Sequence, residues 1–99
     1  MQNFRTYQLA LELNRKAKRI HLRGPAKNQF ERAVLSIALN LAEGSAKESK
    51  NNPRRFYEIA FGSIREVQAI IEIQNLTELR AATDQLAANC HRLCRSLRV

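Results

Sequence analysis

Four stretches of this chain repeat apolar side chains every three to four residues, and strong backbone breaks separate the first three. A spacing of about 3.6 lines one side of a helix with apolar groups and leaves the other side polar. Such a helix is marginal alone in water and has to bury its stripe against another. Four of them within 99 residues predict a single domain over residues 1–99. The expected fold class is all-α, an antiparallel up-down-up-down four-helix bundle.

The first helix is predicted over residues 6–22, with Leu9, Leu13, Ala17 and Ile20 as its stripe. Gly24-Pro25 breaks the chain, and Pro25 suits the first turn of a second helix, where an N–H has no partner anyway. Phe30, Val34, Ile37 and Leu41 form the second stripe, widened by Ala33, Ala38 and Ala42. Gly44 is the expected left-handed stop of that helix. Residues 45–52, SAKESKNN, read as the main loop, with Asn52 as cap and Pro53 as first residue of a third helix reaching residue 74. The third stripe is Phe56, Ala60, Ile64, Val67 and Ile71, and Gly62 is read as a point of close helix packing. Ile59, Ile70 and Ile73 lie beside it and make the apolar face wide enough for contact with another subunit. Thr77 is the expected cap of a fourth helix, whose Leu79, Ala82, Leu86, Cys90, Leu93 and Leu97 make a heptad seam.

Composition narrows the function classes. Three glycines and two prolines are too few for a many-stranded β fold, which turns every few residues. Aromatics are 6% and tryptophan is absent, so base stacking is not expected to dominate any binding. No apolar run approaches the roughly 20 residues of a membrane span, and the N-terminus lacks the marks of a signal peptide. The expectation is a cytoplasmic protein without membrane contact, its Cys90 and Cys94 reduced and packed in the core. Two cysteines are too few for a zinc site, and His21 and His91 lack the Glu-x-x-His spacing of di-iron bundles. The three glycines are isolated and form no phosphate loop, so neither metal nor cofactor is expected.

Charge points to a partner. Lysine and arginine number 17 against 9 acids, a net +8, and residues 1–23 alone carry +5. Such an excess suits a polyanion, most plausibly nucleic acid. Arg15, Lys16, Arg19 and Arg23 fill an arc beside the first apolar stripe and are the leading candidates for phosphate contacts. The plain alternative is a solvated face that aids solubility. Arg54 and Arg55 sit at a helix N-terminus, where the dipole disfavours cations, which suggests an anion contact or an ion pair with Glu58.

Asn40, Glu43, Ser63 and Glu66 are polar residues on rows that otherwise read as apolar. Buried polar groups need partners, since an unpaired one costs about 1–3 kcal/mol. A structural network, with an arginine as counter-ion, outweighs a catalytic carboxylate pair because no nucleophile and base accompany them. The chain is therefore not expected to be an enzyme.

Residues 29–44, QFERAVLSIALNLAEG, resemble the RAxxSIxxNIAEG block of the four-helix-bundle family known as the 23S rRNA intervening-sequence proteins. Residues 55–66, RFYEIAFGSIRE, resemble its second block, a phenylalanine followed by IAxGSxxE. The likeness spans residues 4–76, and two departures are a short first connection and Ala10 in place of a frequent tryptophan. The resemblance implies a ring-shaped homo-oligomer, a pentamer being known in the family. A related accessory protein of diversity-generating retroelements binds a reverse transcriptase and nucleic acid. The expected function is thus a non-enzymatic, basic, oligomeric accessory protein that binds nucleic acid, RNA before DNA. The alternative is a scaffold for a partner protein such as a reverse transcriptase.

Overall fold

The stripes predicted for the second and third helices pack together as the centre of one apolar cluster. The computed structural model describes residues 4–46 and 53–97. Among these, α1 spans Arg5–Ala17, α2 Gly24–Ala46 and α3 Arg54–Gln74. A 3-10 turn at Thr77–Leu79 leads into α4, Arg80–Ser96, and no strand occurs among the described residues. Leu13, Ile37, Leu41, Ile64, Val67 and Leu86 are wholly enclosed. Contacts climb α2 as they descend α3: Arg32 meets Glu66, Ser36 meets Ser63, and Gly44 meets Tyr57. The same holds for α3 and α4, where Cys90 meets Tyr57, His91 meets Phe61, and Asp84 meets Gln68. Asn52 and residues 47–52 of the expected loop lie outside the described residues, as does Arg98.

The structure corrects the first helix, which ends at Ala17 rather than at residue 22. Short i→i−3 bonds close it, from Arg19 N to Lys16 O at 3.1 Å and from Ile20 N to Ala17 O at 3.0 Å. Beyond it the chain runs without helix, with Ile20 and Leu22 half-buried and His21 and Arg23 exposed. Alternation explains the change. In an extended segment residues two apart face the same side, so both apolar groups reach the core. On a helix they would stand about 200° apart and only one would reach it.

Gly44 is not a helix stop, because α2 continues through it to Ala46. Gly24 is the only glycine with positive φ, at 61°. A side chain at Gly44 would instead strike the Tyr57 ring, with a Cβ 2.7 Å from Cδ1. That ring takes the place expected for Phe56, which is only half-buried, whereas Tyr57 is fully enclosed. Gly62 is corrected the other way, since nothing lies within 4 Å of a Cβ built there.

The stop of α3 comes from Asn75, left-handed at φ 57°, with Leu76 N donating to Ile71 O at 2.8 Å. This 6→1 bond satisfies a carbonyl the helix end leaves open, and buried Leu76 closes the motif. Thr77 makes no capping bond with its side chain but begins the 3-10 turn. Leu79 of the turn and Thr83, Leu86, Ala87, Cys90 and Cys94 of α4 are buried, while Ala82, Leu93 and Leu97 are half-buried. Thr83 can sit in the core because its hydroxyl donates to Leu79 O at 2.8 Å.

Candidate nucleic-acid interface

The early end of α1 divides the predicted basic stripe. Arg15 and Lys16 occupy the last turn of the helix, where cations complement the dipole. Arg19 lies in the turn that follows and Arg23 in the non-helical link to α2. The four therefore do not share one helical face. They wrap a corner between α1 and α2, joined by Lys18 and Lys27, and all six side chains are exposed. A groove of about 300 Å³ lined by Asn14, Ala17, Lys18, Glu31, Val34 and Leu35 runs beside this corner.

Arg54 and Arg55 belong elsewhere. They begin α3, just before Tyr57, whose ring meets Phe4 at 5.8 Å ahead of the first turn of α1. The basic corner closes the other end of that helix, about 20 Å of helical rise away. Arg54 Nε donates to Glu58 Oε2 at 2.9 Å, the ion pair the spacing allows, and Arg55 is exposed.

The polar residues on α2 and α3 form a seam with two parts. Ser36 Oγ and Ser63 Oγ bond across the helices at 2.9 Å. Asn40 Nδ2 donates back to Ser36 O at 2.9 Å and to Ser36 Oγ at 3.1 Å. Arg32 pairs with Glu66 at 3.8 Å, in the open. Glu43 is exposed, and it stands eleven residues beyond Arg32 on α2, about 16 Å along the axis. The two carboxylates thus do not form a pair. Sequence reasoning missed Ser36, although its position four residues before Asn40 puts both on one helical row.

Cys90 and Cys94 are both buried thiols. Burial, with the Cys94 thiol beside it, pushes the Cys90 thiol from 9.0 up to about 12. Its Sγ approaches Tyr57 O at 3.6 Å as a weak donor. Between pH 9 and 12 the unfolded chain binds fewer protons at this site than the folded one, so stability falls as pH rises. The effect is absent well below pH 9 and grows as pH rises through the window. Cys90→Ala should be about 1 kcal/mol less stable at neutral pH from lost burial, yet lose less on going to high pH. Urea titrations of both proteins at neutral pH and above pH 9 check this, and parallel losses would refute it.

Among the described residues, no three His, Cys, Asp or Glu side chains gather where they could hold one metal ion. No helix among them is long and apolar enough to cross a membrane.

The profile of the 23S rRNA-intervening sequence protein family matches residues 2–98. The chain belongs to that family. A search of curated proteins finds no match. The two blocks that suggested the intervening-sequence family fall on the seam between α2 and α3, where Ser36, Asn40 and Ser63 bond and Gly44 receives Tyr57.

Proposed function

We propose that this chain is a non-enzymatic, oligomeric accessory protein of the cytoplasm that binds structured RNA through its backbone phosphates. The observation that carries the reading is the exposed corner of Arg15, Lys16, Lys18, Arg19 and Arg23, in a segment with Glu12 as its single acid. Exposed cations neutralise phosphates and release counter-ions, which gives affinity without sequence preference. The family's name, which refers to 23S rRNA, agrees with RNA as the partner. Arg54 and Arg55 form a second basic site whose Arg54 is already balanced by Glu58.

The up-down-up-down, antiparallel order is supported by the contacts that climb one helix while descending the next. A homo-oligomeric ring, five copies by family resemblance, is supported by apolar side chains left in water. Leu35, Leu39, Ile59 and Ile73 are 51%, 59%, 43% and 76% exposed on α2 and α3. The same four side chains favour a second reading, in which this face receives a partner protein such as a reverse transcriptase. A ring would set several basic corners side by side and add avidity.

The test is a charge reversal, Arg15→Glu, Lys16→Glu and Arg19→Glu together, with binding to a structured RNA followed across salt concentrations. All three side chains are exposed, so the fold should persist. Affinity should fall about 10- to 100-fold, with the salt slope shallower by about 0.7–0.9 for each lost phosphate contact. Unchanged affinity would overturn the assignment. Capture of one protein partner that ignores salt, without nucleic acid, would favour the second reading.

A further inference from the structure

The side of the molecule formed by α3 and α4 gathers three planar side chains, two from one turn of α3 and one from α4. Phe61 and His91 face each other with ring centroids 5.7 Å apart and tilted by 44°. The Arg65 guanidinium carbon lies 5.7 Å from the Phe61 centroid. They edge an open hollow of about 430 Å³ whose other lining residues are Ala87 and Ala88.

Arg65 is held in place from behind. Its Nη1 donates to Gln68 Oε1 at 3.1 Å, and Gln68 Nε2 donates to Asp84 Oδ1 at 3.0 Å. The guanidinium is therefore tethered through Gln68 while it lies over the Phe61 ring, at the edge of the hollow. One turn further along α4, Arg92, Arg95 and Ser96 line a second hollow of about 380 Å³. Arg95 follows His91 by four residues, about 6 Å of rise on the same face of the helix. No acid follows Asp84 in the chain, so this stretch is cationic throughout.

We propose that the Phe61–Arg65–His91 hollow is a binding site for an unpaired nucleobase, with Arg92 and Arg95 receiving the adjoining phosphates. Aromatic rings and guanidinium planes are the surfaces on which splayed-out bases stack, and every base offers a π face to them. The other lining residues, Ala87 and Ala88, bring no hydrogen-bonding side chain and so no base code, and the site accepts any base. Arginines beside it favour a polyanionic strand over an isolated aromatic ligand. The proposal rests on the RNA-binding reading above and adds to it a preference for single-stranded or looped segments.

The test compares a short single-stranded RNA carrying 2-aminopurine with the duplex of the same sequence, on the full chain. Phe61→Leu keeps the apolar bulk that packs against the core and removes the aromatic face. His91→Ala alters an exposed side chain and serves as the second, structurally mild variant. The combined variant should lose about tenfold in affinity for the single strand, with its salt slope unchanged and duplex affinity unaffected. Quenching of 2-aminopurine on binding should be lost with it. Single-strand affinity and quenching that survive both changes would overturn the stacking site while leaving phosphate binding intact. If the unaltered protein bound neither RNA, the stacking site and the RNA-binding reading would fall together.

Discussion

Replacing Gly44 with alanine should lower the midpoint of thermal unfolding by roughly 5–15 °C, and replacing Gly62 with alanine should raise it. The substitution is the same and both sites are helical, so intrinsic propensity favours alanine at each by about 1 kcal/mol. Packing decides the sign. At Gly44 the new methyl group would lie 2.7 Å from Tyr57 Cδ1 and closer still to Cε1. The ring cannot swing clear, because it is fully enclosed and the edge of Phe4 packs against it. Overpacking of this kind costs about 1–3 kcal/mol, and each kcal/mol shifts the midpoint by about 4–8 °C in a domain of this size. The clash is with a rigid ring, so the cost should lie at or beyond the upper end and exceed the propensity gain. At Gly62 the methyl group meets open space, and the gain should appear as an increase of about 4–8 °C. Tyr57→Leu combined with Gly44→Ala should recover part of the loss, seen as strong coupling in a double-mutant cycle. A Gly44→Ala protein as stable as the unaltered chain would show that α2 and α3 do not approach as described.

The second large effect concerns assembly. Leu39→Glu with Ile59→Glu should reduce the particle from a multiple of 11.4 kDa to 11.4 kDa in size-exclusion chromatography with light scattering. Both residues are exposed, at 59% and 43%, so the helices should survive with stability changed by less than about 0.5 kcal/mol per site. A carboxylate trapped at a subunit contact without a partner costs several kcal/mol, repeated at every contact of a closed ring. Loss of the ring should also remove avidity and weaken RNA binding by about 10²- to 10⁴-fold, with every basic side chain still present. An unchanged particle mass would exclude this face as the subunit contact. A chain that is monomeric before any change would leave the four apolar side chains to a partner protein.

Much of the core could be read from spacing alone. Phe30, Val34, Ile37 and Leu41 on α2 and Ala60, Ile64, Val67 and Ile71 on α3 are all buried as expected. Periodicity works there because a helix converts sequence distance directly into angle. It fails where two residues are equally placed. Phe56 and Tyr57 lie at about −40° and +60° from Ala60, on either edge of one stripe, so the wheel does not choose between them. The candidate site was legible as charge, since cations can be counted, but not as shape. A helical projection put Arg15, Lys16, Arg19 and Arg23 on one face, whereas the structure bends them around a corner.

The chain by itself determined four helices, one core and a basic first segment, because apolar period, backbone breaks and charge are local properties. Only the tertiary structure decided where α1 ends, with Ile20 and Leu22 both packed against the core from a non-helical link. It also decided that Gly44 makes room for a ring rather than ending a helix, and that Ser36 and Ser63 bond across α2 and α3. His91 likewise became a neighbour of Phe61 only when α3 and α4 packed. Each of these depends on contact between residues distant in the chain, which no local pattern encodes.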